Sequence, residues 1–320
     1  MTTGESVTRA PHSRKATSSR MRRYVQVAGA VVLTLICLAF VSRRLAGGWA
    51  DTRKQLIHAN PWLLLGGAAA AVLAMVAVAM RWHRAMAVLG VRVGRVDCLR
   101  WFAHGQLGKY LPGGVWNVVG QSELARRGGV RGSVSYSSVL LHSIGLYGCA
   151  AVGLAASAAL PGSVRIAWWA VIVGLALAVV AFEPHLLKRL VQRGQAGEPA
   201  PKYRTICRYV AGNSLVWILV AAATVLVGGA IDPSEPIVVV AVAAVASWLV
   251  GFVTLPAPGG LGVREIAFVA AVGGSLNSAT AAAIALAARM TFVAADGALV
   301  PLSHLVGLVE RRLARSVELS

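Results

Sequence analysis

Long apolar runs alternate with short, basic polar segments along most of the chain. A helix needs about 20 mainly apolar residues to cross the roughly 30 Å hydrocarbon layer of a bilayer. Seven runs approach or exceed this length: 24–42, 61–80, 135–160, 164–182, 209–230, 236–256 and 278–306. Two further stretches, 97–125 and 257–275, are moderately apolar but are interrupted by proline and glycine. The pattern predicts an all-α, polytopic integral membrane protein with about seven to eight transmembrane helices and two broken, re-entrant segments.

Composition and charge support a membrane location. Hydrophobic residues make up 57% of the 320 residues and charged residues only 13%, which is too little polar surface to cover a soluble core of this size. The formal net charge of +19 would suggest nucleic acid in a soluble protein. Here the basic residues lie mainly between apolar runs, an arrangement that fits membrane orientation and anionic headgroups instead. We therefore expect no nucleic-acid partner.

The distribution of lysine and arginine predicts the domains and the orientation. Residues 1–23 are rich in Ser, Thr and Arg and are expected to form a disordered cytoplasmic tail. Residues 24–310 form the predicted transmembrane domain, and 311–320 a short basic tail. Because basic loops stay on the cytoplasmic side, we expect a multi-pass protein of the cell membrane with its N-terminus inside. A cytoplasmic C-terminal tail favours eight crossings over seven, and both numbers stay open.

The two broken segments share a pattern. The first contains Gly108-Lys-Tyr-Leu-Pro-Gly-Gly-Val-Trp116 and the second Pro258-Gly-Gly-Leu-Gly-Val-Arg-Glu265. Proline cannot continue a helix, and glycine lets the backbone change direction. The chain is therefore expected to stop and restart a helix at each point. A restarted helix exposes unpaired N–H groups, which survive in a membrane only where they are buried in protein or line a wet cavity.

These breaks predict a site for a negatively charged ligand. Helix N-termini attract anions, and paired Gly/Pro-broken segments in the two halves of a transporter point to its substrate site. In our interpretation Lys109 and Arg264 supply positive charge, Glu265 orients Arg264 or carries a proton, and Arg289 adds to the site. The ordinary alternative is a loop between helices whose charges mark the membrane interface. The full set of candidate binding residues is Lys109, Tyr110, Pro112, Gly113, Gly114, Trp116, Asn117, Pro258, Gly259, Gly260, Gly262, Arg264, Glu265 and Arg289.

Other polar residues within the spans have structural interpretations. Arg289 and Asp296 lie seven residues apart on one predicted helix, about 10.5 Å along its axis, so each is expected to have a different partner. His142 is better explained as a hydrogen-bonded packing residue than as a proton relay. The tryptophans near span ends, such as Trp62 and Trp82, are expected to be aromatic anchors at the membrane interface.

The two motifs quoted above resemble the signature stretches of the lysylphosphatidylglycerol synthase transmembrane region family, whose members are flippase-like membrane proteins. The resemblance covers residues 24–310 and includes the Arg81-Trp82 pair. It implies a polytopic domain with re-entrant helices that is involved in moving a lipid across the bilayer. The last apolar run ends close to Ser320, so we expect a stand-alone member without the aminoacyl-transfer domain. Family members often carry an acidic residue where this chain has Ser138 to Ser143, which leaves the lipid and any proton coupling undecided.

The leading hypothesis is a protein that binds and translocates an anionic phospholipid or lipid-linked precursor. The alternative is a non-transporting anchor subunit that presents lipid to a partner synthase or glycosyltransferase. No P-loop, G-x-S-x-G, H-E-x-x-H or acidic metal motif occurs in the sequence, so we expect neither an enzyme nor a cofactor or metal. Lipid identity, energy source and oligomeric state are open.

Overall fold

The computed structural model describes residues 57–111, 115–157, 172, 176, 203–253 and 260–318. These residues are helical, without strands, as the hydrophobic pattern predicts. The helices are α1 (Pro61–Val88), α2 (Arg95–Gln106), α3 (Trp116–Arg127), α4 (Gly132–Ser157), α5 (Tyr203–Ala211), α6 (Ser214–Ile231), α7 (Ile237–Val253), α8 (Val263–Val272) and α9 (Ser278–Glu318). A short 3-10 helix, Leu107–Tyr110, follows α2. The predicted tail 1–23 and the predicted spans 24–42 and 164–182 lie outside the described residues.

Four helical stretches in the described part are long and apolar enough to cross a membrane. They are Pro61–Val88, Gly132–Ser157, Arg204–Ile231 and Ser278–Leu313. The predicted span 236–256 is the shorter helix α7, whose 17 residues rise about 25 Å. The last helix contains Pro301 and continues to Glu318, so the residues assigned to a C-terminal tail begin as helix.

The stretch Arg204–Ile231, which contains the span predicted over 209–230, has a short interruption near its start. The α5 helix ends at Ala211, and α6 begins at Ser214 after Gly212 and Asn213. At this junction Arg81 donates to Asn213 Oδ1 at 3.0 Å and to the Tyr209 carbonyl oxygen, so its guanidinium partly satisfies polar groups freed by the interruption.

The core lies around α1. Met75, Trp82 and Met86 are almost fully buried there, and α1 packs tightly on α6. At the closest approach, a Cβ atom added to Gly67 would lie 2.8 Å from a Val227 methyl group. Trp82 corrects our expectation of an interface anchor, because its ring is buried and Nε1 donates to Ser138 Oγ at 3.0 Å. Trp62, at the start of α1, is 78% exposed, as an anchor would be.

Candidate functional site

The first broken segment forms a helical hairpin of α2 and α3. The two helices approach each other most closely at glycines. A Cβ atom added to Gly105 would lie 2.6 Å from the backbone nitrogen of Gln121, and one added to Gly120 would lie 3.3 Å from Gly105 Cα. Gln121 also donates from Nε2 to Gln106 Oε1 at 3.2 Å across the hairpin. Each helix has 12 residues, or about 18 Å of rise, and is too short to cross a bilayer alone.

A helix restarts after the first break, as the sequence predicts. It begins at Trp116, and Val115 before it offers no side-chain cap, so no cap side chain satisfies the first N–H groups. Lys109 and Tyr110 end the 3-10 helix on the other side of the turn. Pro112, Gly113 and Gly114 lie outside the described residues.

The second broken segment forms a similar hairpin of α7 and α8. The α8 helix restarts at Val263 after Gly262, which has no side-chain cap and a φ of 77°. Gly260 also has a positive φ of 68°, a conformation that favours glycine over other residues. An added Cβ on Gly260 would lie 3.3 Å from Gly251 Cα, so glycines allow the close approach here too. Pro258 and Gly259 lie outside the described residues.

The long helix α9 holds both hairpins by buried ion pairs. Lys109 Nζ of the first hairpin lies 2.6 Å from Asp296 Oδ2, which also accepts from Tyr110 Oη at 2.6 Å. Glu265 of the second hairpin lies 3.8 Å from Arg289, measured from Oε1 to Nη1. This confirms that Arg289 and Asp296 have different partners. It corrects the suggestion that Glu265 orients Arg264, since the carboxylate pairs with Arg289.

Arg264 has a different environment from Lys109. Its guanidinium carbon lies 3.6 Å from the centre of the Trp248 ring, a cation–π contact with α7. Among the described residues no carboxylate lies within ion-pair distance of Arg264. Its aliphatic stem packs against Gly251 and Gly260, which leave no room for a side chain of their own. Arg264 is therefore the cation of the site that is held by packing rather than neutralised by a direct partner.

A cavity of about 280 Å³ lies between the hairpins. The first hairpin contributes Lys109 and Asn117 to its lining, and the second contributes Gly260 and Arg264. Arg264 also borders a second space of about 20 Å³, lined in addition by Glu265 and Arg289. The structure thus brings residues of both broken segments to one chamber. The alternative, in which each segment is only a loop at the membrane interface, does not account for this shared chamber.

The cavity has polar walls besides these cations. Asn117 Oδ1 is buried without a hydrogen-bond partner among the described residues, so it can accept from a ligand. His142 also lines the cavity, and its Nδ1 lies 3.3 Å from the Tyr209 hydroxyl, which agrees with a hydrogen-bonded packing histidine. Trp116 is partly exposed at the start of α3 and does not line this cavity.

Several site residues were not singled out from the sequence. Trp248, Gln121 and the glycines Gly105, Gly120 and Gly251 shape the cavity or the hairpins around it. Asp296 was recognised as a polar residue within a span but not as a residue of the site. The only local signal for the glycines is their spacing on short helices beside a Pro-Gly break.

The comparison with known families agrees with the two hairpins. Residues 26–295 match the family model described as the lysylphosphatidylglycerol synthase TM region. The chain belongs to this family. A comparison with curated proteins finds no match. Membership confirms the resemblance based on the two motifs, and with the apolar helices it supports a membrane protein related to lipid handling.

Proposed function

We propose that this member of the lysylphosphatidylglycerol synthase TM region family binds the phosphate of an anionic lipid between its two hairpins and moves the headgroup between leaflets. The observation that carries the proposal is the shared cavity, which Lys109 and Arg264 enter from different broken segments. Val115 and Gly260, which follow the two breaks in the chain, line the cavity, and this placement supports re-entrant hairpins that are buried in protein.

The charge of the cavity favours an anion. Arg264 is partly buried beneath Trp248, and a guanidinium that is shielded from water binds phosphate more strongly than one in water. The N-terminal turn of α3 borders the same cavity through Asn117 and Val118, and the helix N-terminus adds partial positive charge there. A phosphodiester would therefore find a full charge from one hairpin and a helix N-terminus from the other.

The size and the remaining polar group narrow the ligand class. A volume of about 280 Å³ holds a lipid headgroup but not its acyl chains, which must stay in the surrounding bilayer. The unpartnered oxygen of Asn117 needs a hydrogen-bond donor, which a hydroxyl or amino group of a headgroup supplies. We therefore propose a phospholipid that carries a hydroxyl or amino group next to its phosphate, such as phosphatidylglycerol.

Leaflet exchange in liposomes tests the proposal. The purified chain should accelerate the exchange of labelled phosphatidylglycerol, and Arg264→Gln should reduce that rate by about tenfold or more, since a charged hydrogen bond contributes about 1.5–3 kcal/mol. Arg126→Gln is the matched control, because Arg126 is exposed and pairs with Glu123 on the outer end of α3. Binding of the lipid without any acceleration of exchange would refute translocation and support the anchor-subunit alternative.

A further inference from the structure

The carboxylate of Asp296 binds two candidate ligand-binding residues of the first hairpin, Lys109 and Tyr110. Lys109 Nζ and the Tyr110 hydroxyl both lie 2.6 Å from the same oxygen, Asp296 Oδ2. An ammonium and a hydroxyl that converge on one anionic oxygen are equally suited to an oxygen of phosphate. Lys109 also lines the 280 Å³ cavity, so this contact lies at the edge of the proposed lipid site.

The Asp296 carboxylate is only half used. Its side chain is 1% exposed, yet Oδ1 has no hydrogen-bond partner among the described residues. A carboxylate with a purely structural role is usually bonded through both oxygens, because burial of an unpaired charged oxygen is costly. Asp296 is therefore held through Oδ2 only, by the Lys109 ammonium and the Tyr110 hydroxyl.

The surrounding charges come from three elements. Lys109 and Tyr110 face Asp296 from the first hairpin, and Arg264 of the second hairpin and Arg289 of α9 itself act on the same cluster. Glu265 faces Arg289. Hence Lys109 is the cation that Asp296 neutralises directly, and Arg264 is the one left for an incoming anion.

We propose that Asp296 is a built-in competitor for the lipid phosphate. This inference rests on the proposed function. In the empty site Asp296 holds Lys109 and Tyr110. A lipid phosphate first meets Arg264 and then takes the two donors from Asp296. A buried carboxylate without its cation is strongly disfavoured, so this exchange costs free energy and lowers the affinity of the site for the lipid. Departure of the phosphate returns Lys109 and Tyr110 to Asp296. The contact with Asp296 thereby favours release of the bound lipid.

Binding can be measured on the full chain in detergent micelles. The probe is short-chain phosphatidylglycerol, compared with phosphatidylcholine of the same chain length. Wild-type protein should bind phosphatidylglycerol more tightly than phosphatidylcholine. Asp296→Asn should bind phosphatidylglycerol at least about tenfold tighter than the wild type, equivalent to about 1.4 kcal/mol, because its amide no longer holds the Lys109 ammonium as a carboxylate does.

A matched control and a second variant keep the test decisive. Glu235→Gln removes a buried carboxylate that lines neither cavity, and it should keep the wild-type affinity for phosphatidylglycerol. Adding Lys109→Met to Asp296→Asn should abolish the tighter binding, because the released cation is gone. Tyr110→Phe removes one of the two donors and keeps the ion pair of Lys109 with Asp296, so it should weaken phosphatidylglycerol binding. This variant tests the exchange even if Asp296→Asn does not fold.

The outcomes separate this inference from the proposed function. If the wild type prefers phosphatidylglycerol but Asp296→Asn and Tyr110→Phe leave its affinity unchanged, the exchange is refuted and the lipid site stands. A wild type that binds phosphatidylglycerol no better than phosphatidylcholine would refute the lipid site, and the exchange with it.

Discussion

The two hairpins are built alike but treat their cations differently. In each hairpin the two arms approach each other closely at a pair of glycines, Gly105 with Gly120 in the first and Gly251 with Gly260 in the second. In the first hairpin Lys109 is neutralised by Asp296, whereas in the second Arg264 stacks on Trp248 and has no direct carboxylate partner within the described residues. The difference shows that two similar backbone breaks place their cations in different environments: Lys109 pairs with a carboxylate of α9, whereas Arg264 packs against an aromatic ring of α7.

Removal of each cation should give the largest difference in stability between the two hairpins. Lys109→Met leaves Asp296 buried without its cation and should lower the free energy of unfolding by about 3–5 kcal/mol. Arg264→Met loses only a cation–π contact and should cost about 2 kcal/mol or less. Denaturation of both variants in mixed detergent micelles measures the difference. Equal losses would mean that Arg264 is also held by a charge partner.

A double substitution controls for the size of the side chain. Lys109→Met combined with Asp296→Leu removes both charges and should recover most of the stability, because the cost of the single variant comes from the carboxylate left behind. No recovery would show that packing around Lys109, rather than its charge, holds the first hairpin.

Alanine at the contact glycines should separate stability from binding. An added Cβ on Gly105 meets backbone atoms of Gln121 at 2.6 and 2.8 Å, so Gly105→Ala should destabilise the fold by about 3 kcal/mol. An added Cβ on Gly251 meets the side chain of Arg264 instead, which can move. Gly251→Ala should therefore cost less stability and weaken phosphatidylglycerol binding more.

Gly153 on α4 is the matched control for these variants, because nothing lies within 4 Å of an added Cβ there. Gly153→Ala should leave both the unfolding midpoint and lipid binding unchanged within error. If Gly105→Ala were equally harmless, the close approach of α2 and α3 would not be a feature of the folded protein.

Local sequence patterns predict the breaks, while the partners across them depend on tertiary packing. Proline and glycine act on the backbone next to them, so the restarts at Trp116 and Val263 follow from the motifs alone. Lys109 and Arg264 were also correctly assigned to one chamber by the similarity of the two motifs. The seven-residue spacing of Arg289 and Asp296 was sufficient to exclude a pair between them.

The remaining contacts have no local signal. Tyr110 and Asp296 are 186 positions apart, and nothing near either residue shows that α9 brings them together. Glu265 adjoins Arg264 in sequence, which favoured the wrong partner, because successive residues of a helix point about 100° apart while Arg289 faces Glu265 from α9. Trp82 likewise lies near the end of a predicted span, but the helix continues to Val88 and its ring enters the core.

Each hairpin also has a carboxylate whose pKa is shifted, Glu235 just before α7 and Glu123 near the end of α3, so the two hairpins should differ in how their stability depends on pH. Glu235, just before α7, is buried against Gly228, and neither oxygen meets a hydrogen-bond partner in the described part of the chain. Burial, and next the charge of Asp232, raises the pKa of Glu235 to about 7, although the nearby Gly229 backbone offsets part of the shift. The folded state therefore favours protonated Glu235.

This shift makes Glu235 a source of pH-dependent stability. Its contribution is fully present below the pKa of the unfolded chain, about 4.5, and is lost as the pH rises through about 7. The free energy of unfolding should fall by about 2 kcal/mol between mildly acidic and mildly alkaline pH. Glu235→Gln should flatten that profile, whereas Glu310→Gln, at an exposed position of α9, should not. An unchanged slope in Glu235→Gln would place the titrating group elsewhere.

Glu123, near the end of α3, should give the smallest effect and the opposite sign. Arg126 donates to it from Nε and Nη2 at 2.7 and 2.8 Å, and Arg127 donates from Nε at 2.9 Å. These hydrogen bonds, with that of Arg126 first, lower the pKa of Glu123 to about 2. Its contribution is present above the unfolded pKa, about 4.5, and is lost as the pH falls through about 2.

Because Glu123 and its arginines are at the surface, solvent and salt screen their attraction. Glu123→Gln should therefore shift the unfolding midpoint only slightly at neutral pH, and the shift should shrink further in high salt. A carboxyl titration followed by NMR on selectively labelled protein should show a Glu123 midpoint far below that of an ordinary glutamate. A normal midpoint would mean that the arginines point to solvent or to lipid phosphates at the membrane surface instead of pairing with Glu123.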